Sequence, residues 1–119
     1  MLLTLHHLQL AMAEGQEDHA RAFYAGVLGL TEVAKPLALA GRGGVWFESG
    51  EVRVHLGVEM PFQPALKAHP AFTVQDIETL QDRLRGHGYV VQPDTAVPDV
   101  RRFYTNDPFG NRLEFLQAI

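Results

Sequence analysis

The order of elements in this chain of 119 residues runs twice. His7-Leu8-Gln9-Leu10-Ala11 falls opposite His69-Pro70-Ala71-Phe72-Thr73. Gly29-Leu30 falls opposite Gly88-Tyr89, and Arg53-Val54-His55-Leu56 opposite Arg112-Leu113-Glu114-Phe115. Few letters match, but the order and the offsets nearly do. A tandem repeat must build both halves from one plan, so the choice of folds is narrow. The expectation is an α+β chain in one domain over residues 1–119, with module one at about 1–59, a linker at about 60–67 and module two at about 68–119.

Periodicity fills in the plan. The mostly apolar run from Leu3 to Met12 reads as a buried strand that Gly15 ends. Ala20, Phe23, Tyr24, Val27 and Leu28 then recur at the spacing of one helical face. Glu17 and Asp18 stand in the first turn, where carboxylates complement the helix dipole, and Gly29 follows as a C-terminal cap. A weaker strand lies near Glu32 to Leu39, limited by Pro36 to an edge or bend. Val45-Trp46-Phe47 and the alternating run Val52 to Val58 flank Ser49-Gly50-Glu51 as a hairpin. Met60 to Lys67, with Pro61 and Pro64, reads as a linker.

The second half repeats the scheme. His69 to Val74 is a short apolar run. Ile77, Leu80 and Leu84 are spaced for a helix with Asp76 as N-cap and Gly86 or Gly88 at its end. Tyr89 to Gln92 reads as a brief strand and Pro93 to Val100 as loop. Arg102 to Thr105 and Arg112 to Leu116 flank Asn106-Asp107-Pro108-Phe109-Gly110, a second hairpin.

Composition excludes several functions. Apolar residues at 46% and charged residues at 20% describe a globular chain. A net charge of −4 gives nucleic-acid binding no electrostatic support. With no cysteine, disulfides, thiolate metal sites and cysteine nucleophiles are all ruled out. The apolar opening Met1 to Leu5 is short and lacks a basic n-region, and nothing approaches the roughly 20 apolar residues of a membrane span. Cytoplasm is the default location.

The repeat also organises the chemistry. Each half has a metal-competent side chain on its first strand, His7 and His69, and another on its last, His55 and Glu114. Imidazole and carboxylate are common ligands of Zn, Fe, Mn and Ni. On the closing strands, alternation puts His55 with Arg53 and Gly57, and Glu114 opposite Leu113 and Phe115. A lone strand histidine is ordinarily a surface or core residue. Four residues of ligand type at corresponding places in two halves are harder to obtain by accident.

The pattern His7-x-x-Leu10, then Phe23-Tyr24 with Leu28-Gly29-Leu30, then Asp107-Pro108-Phe109-Gly110-Asn111 with Leu113-Glu114-Phe115, resembles the glyoxalase / bleomycin-resistance / extradiol-dioxygenase (vicinal oxygen chelate) superfamily over nearly the whole chain. The resemblance implies two tandem βαβββ modules forming curved mixed sheets around a cup, with helices on the outer face. It implies one divalent transition metal (Zn, Ni, Fe or Mn) on His7, His55, His69 and Glu114. His7 takes precedence over His6 because it fills the His-x-x-Leu position, and His6 would share the core-edge face of Leu8 and Leu10. The resemblance also implies a homodimer. In a cup shared between copies, His7 and His55 come from one subunit and His69 and Glu114 from the other.

The chain departs from the family's glyoxalase I branch at His55, where that branch carries a glutamate able to move protons. Glu59 is no substitute, since it lies four residues on, about 13 Å along a strand. Dioxygenases and fosfomycin-resistance enzymes of the superfamily use two histidines and one glutamate, matched by His7, His69 and Glu114. His55 is then an extra ligand or a neighbouring acid/base. Catalytic roles are assigned to Glu114 and His55, and substrate contacts to Gln9, Trp46, Arg53 and Tyr104. Trp46, Phe47, Phe103 and Tyr104 come from corresponding hairpins and could wall an apolar cup, although core packing suits all four better, and His19 and His87 carry no function.

Two functions follow. The first is a metal-dependent enzyme, of isomerase/lyase, transferase or dioxygenase type, stabilising an enolate or oxyanion of a small oxygen-chelating substrate by Lewis acidity. The second is a small-molecule-sequestering protein of the bleomycin-resistance type, without catalysis. Neither calls for a nucleic-acid or membrane partner.

Overall fold

A computed structural model describes all residues, 1–119. The chain divides into two compact units, Met1–Pro64 and Ala65–Ile119. No helix is long and apolar enough to cross a membrane.

The first unit contains β1 (Leu8–Met12), α1 (Glu17–Ala20) continuing into a π-helical stretch (Arg21–Val27), β2 (Thr31–Val33), a 3-10 turn (Leu37–Arg42), β3 (Val45–Ser49) and β4 (Val52–Val58). Its sheet has the order β1-β4-β3-β2, with β1 parallel to β4 and the other pairs antiparallel. The helical periodicity holds, and Phe23, Tyr24 and Val27 are buried. The last turn is wider than an α-helix, since the amide of Leu28 donates to the Phe23 carbonyl five residues back. Tyr24 stacks on Phe47 at 5.5 Å, fixing the helix to the apolar face of the sheet with Leu10, Met12, Val45, Val54 and Leu56.

The second unit repeats the scheme with β5 (Ala71–Thr73), α2 (Ile77–Gly86), β6 (Gln92–Asp94), β7 (Val100–Asn106) and β8 (Arg112–Ala118). Its sheet order is β5-β8-β7-β6, with β5 parallel to β8. Asp76 caps α2 by accepting from the amide and hydroxyl of Thr79, which satisfies one of the orphan amides of the first turn. Ile77, Leu84, Phe103, Leu113 and Phe115 form the core of this unit. Phe47 and Phe103 are fully buried, as core packing requires.

Three expectations need correction. The strand read from Leu3 begins only at Leu8, and Leu2, Leu3 and Leu5 are exposed. The β1–β4 register pairs Leu8 with Val54, and β4 starts at Val52, so the chain before His6 has no strand to pair with. His6 is accordingly exposed ahead of the sheet rather than at a core edge. The brief strand placed at Tyr89 to Gln92 lies at Gln92–Asp94, inside the stretch read as loop. Pro93 is tolerated there because β6 is an edge strand.

The turn between β7 and β8 is built from side chains. Asp107 Oδ1 accepts from the amides of Phe109 and Asn111, and Asn111 Nδ2 donates to Asp107 Oδ2 at 3.0 Å. Asn111 is fully buried, and its Oδ1 accepts from the amide of Ala65. The Asp-Pro-Phe-Gly-Asn run thereby ties β8 to the start of its own unit.

Candidate metal centre

In the first unit, alternation along β4 turns Val54 and Leu56 into the core and His55 to the other face. The register places Trp46 beside His55 on β3 and Gln9 beside it on β1. Trp46 stacks on the His55 ring at 3.8 Å and 2°, and His7 covers the opposite face at 4.2 Å and 20°. His55 is only 5% exposed. Burial, and then the neighbouring His7, push its pKa below the ordinary histidine value, against the pull of Glu48. The neutral imidazole that results is the ligand form.

The surroundings of this stack are polar. His7 Nδ1 lies 3.0 Å from His6 Nδ1. Arg53 donates to the His6 carbonyl at 3.2 Å, so its guanidinium holds the segment ahead of β1. Gln9 lies over Gly57, where a Cβ would meet its Nε2 at 2.4 Å. A cleft of about 190 Å³ opens beside Gln9, Trp46 and Gly57, with Lys35 and Arg42 among its walls.

In the second unit, His69 stands just before β5 and Glu114 on β8. His69 Nδ1 lies 2.8 Å from the Lys67 carbonyl, and its Nε2 lies 2.9 Å from Glu114 Oε1. A carbonyl oxygen only accepts, so Nδ1 carries a proton and the ring is oriented with Nε2 toward the carboxylate. A backbone carbonyl that fixes one nitrogen so that the other is presented is the usual support of a metal-binding histidine. Glu114 is buried, with a side chain 9% exposed. Tyr104 pairs with Glu114 in the register and meets the His69 ring edge-on at 5.4 Å. The Arg112 guanidinium covers the Tyr104 ring at 4.0 Å.

Each unit therefore brings together two of the four expected ligands, His7 with His55 and His69 with Glu114. No group of three or more such side chains that could hold a metal is gathered. The donor chemistry fits a transition metal nonetheless: one buried neutral imidazole, and one imidazole oriented beside a carboxylate. Gln9 and Trp46 border the first pair and Tyr104 the second. Glu59, dismissed as a base, instead accepts from the Gln63 amide.

Two residues of this face escaped the sequence reading. Arg102 Nη1 reaches Glu114 Oε2 at 3.4 Å, and Nη2 reaches Asp94 Oδ1 at 3.2 Å. The Ala96 amide, and then Arg102, hold the Asp94 carboxyl below the usual carboxylate range. Part of the signal was available: alternation sets Arg102 on the face of Tyr104 and Arg112 on that of Glu114, but joining the two faces takes the β7–β8 register.

The family model for the Glyoxalase/Bleomycin resistance protein/Dioxygenase superfamily matches residues 4–115. No curated protein matches the chain. Among solved structures, one described as a glyoxalase family protein from Bacillus anthracis is 45% identical, with a TM-score of 0.97 over 100% of this chain and 98% of its own. A genomically encoded fosfomycin resistance protein from Listeria monocytogenes shares the fold at 16% identity and a TM-score of 0.79, covering 100% of this chain and 96% of its own. An antibiotic binding protein from Streptomyces sp. CB03234 does so at 18% identity and 0.75, covering 100% of both chains.

Proposed function

Because the chain belongs to the Glyoxalase/Bleomycin resistance protein/Dioxygenase superfamily, we propose that it is a metal-dependent enzyme acting on a small substrate with neighbouring oxygen atoms. The observation that carries this reading is His69, locked at Nδ1 by a backbone carbonyl and aimed at Glu114 through Nε2. Orienting an imidazole in this way favours a ligand over a solvated surface residue. His7, His55, His69 and Glu114 would hold one divalent Zn, Ni, Fe or Mn ion. That ion, when bound, supplies Lewis acidity toward the substrate's oxygens.

The chain's own residues do the rest. Glu114 is the one carboxylate of the set, so it is both ligand and proton acceptor. His55 lacks the charge to replace a basic glutamate, which favours chemistry with a single base. Gln9, Trp46 and Tyr104 contact substrate, and Arg53 serves its anionic groups if it leaves the His6 carbonyl. Since each unit supplies two ligands, we assign the complementary pair to a second copy, giving a homodimer with shared sites.

A second reading draws on the cleft of about 190 Å³ beside Gln9 and Trp46, whose indole gives it an aromatic wall for a small molecule. On that reading the protein sequesters a small molecule, as the Streptomyces antibiotic binding protein binds an antibiotic.

Trp46 is the only tryptophan and reports on His55. Titration with Zn, Ni, Mn and Fe(II) should change its emission until about one equivalent per chain is bound. His69→Ala should weaken that response, because the two pairs share an ion. An identical response in His69→Ala would contradict the shared site. Small-molecule binding that survives full chelation would favour sequestration.

A further inference from the structure

We propose that Arg102 restricts Glu114 to a single ligand oxygen and so sets which metal the site prefers; this rests on the metal-dependent reading above. The two oxygens of Glu114 have different partners. Oε1 faces His69 Nε2 at 2.9 Å, on the side where the ligand nitrogen points, whereas Oε2 is taken by Arg102 Nη1 at 3.4 Å. A carboxylate that binds an ion through both oxygens must release other donors from both. Here one donor is a permanently charged guanidinium.

The guanidinium has little freedom to leave. Nη2 is held by Asp94 on β6, while Nη1 reaches Glu114 on β8, so Arg102 on β7 is pinned from both neighbouring strands. Its side chain is 16% exposed. Its Nε is the one buried side-chain nitrogen or oxygen atom without a hydrogen-bond partner. Leaving a donor unsatisfied is unfavourable, so the position of this group is set by its two Nη contacts and by the Tyr104 ring 5.4 Å from Cζ.

The consequence is selectivity. Large, oxygen-seeking cations gain most from a second carboxylate oxygen, whereas small ions with imidazole ligands need only one. Arg102 is a positioning residue that acts on the ion through Glu114. It disfavours Ca and Mn relative to Zn and Ni.

The test measures dissociation constants for Zn, Mn and Ca by calorimetry on the full chain as wild type, Arg102→Met and Arg102→Lys. Arg102→Met should tighten Mn and Ca about tenfold more than Zn. The visible spectrum of its Co(II) form should weaken as an oxygen is added to the ion. Arg102→Lys, which keeps the charge but cannot reach Asp94 and Glu114 together, should fall between wild type and Arg102→Met in both readouts. Should Arg102→Met fail to fold, Asp94→Ala, which removes the guanidinium's acceptor on β6, should shift the ratio in the same direction. An unchanged Zn-to-Mn ratio in a folded, metal-binding variant would overturn the inference alone, as would loss of all metal from it. A wild type that binds none of these ions would overturn the metal-dependent reading and this inference with it.

Discussion

His69 Nε2 and Glu114 Oε1 meet at 2.9 Å while the other nitrogen of the ring is held by the Lys67 carbonyl. This geometry separates the chemistry of Glu114 from its shape. Glu114→Gln keeps the volume and a hydrogen-bonding group toward His69 but removes the charge a cation needs. It should fold normally and bind metal roughly a hundredfold more weakly, measured by calorimetry.

The turn before β8 should be more sensitive than its half-buried proline and glycine suggest. Asn111 is fully buried, accepts from Ala65 and donates to Asp107. Asn111→Ala strands the Ala65 amide and removes a donor from Asp107 Oδ2, and should cost about 2–4 kcal/mol in denaturant unfolding. Asn111→Asp keeps the acceptor for Ala65 but sets a second carboxylate against Asp107. It should also destabilise, and the loss should shrink in acid as the carboxylates protonate.

Two glycines of the first unit should respond to very different degrees. At Gly44, φ is +84° and a Cβ would lie 2.2 Å from the Leu56 carbonyl oxygen, a backbone atom that cannot move aside. Gly44→Ala should cost about 2–4 kcal/mol. At Gly57 the obstruction is the end of the Gln9 side chain, which can swing away. Gly57→Ala should therefore cost less than about 1 kcal/mol and alter ligand binding through the displaced Gln9.

Asp76 gives the fold an acid-sensitive element. The Thr79 amide and then its hydroxyl lower the Asp76 pKa from its ordinary 3.8. Folding thus favours the ionised form. The stability it contributes is present above pH 3.8 and is lost as pH falls through the lowered value. Between about pH 4 and pH 2, the melting temperature of wild type should fall more steeply than that of Asp76→Asn, which caps without a charge.

The repeat made the architecture legible in the sequence, because strand alternation and helical spacing are local properties. His55 and Glu114 were found by position in the repeat, and the structure gives each a partner from its own unit. What failed depended on pairing. Leu3 and Leu5 look like strand residues, but β4 begins too late to receive them. The π-helical turn at Leu28 leaves no mark on the apolar spacing, since one widened turn moves side chains too little to change the face. Arg102 and Asp94 were missed because their meaning lies in the lateral order β6-β7-β8, which periodicity along one strand does not reveal.

The central claim is that His7, His55, His69 and Glu114 hold a metal ion. Elemental analysis of purified, tag-free protein beside His69→Ala tests it most directly. The account predicts about one equivalent of a transition metal per chain in wild type and its loss from the folded variant. A wild type that is metal-free and takes up no Zn, Ni, Mn or Fe(II) on reconstitution would contradict it.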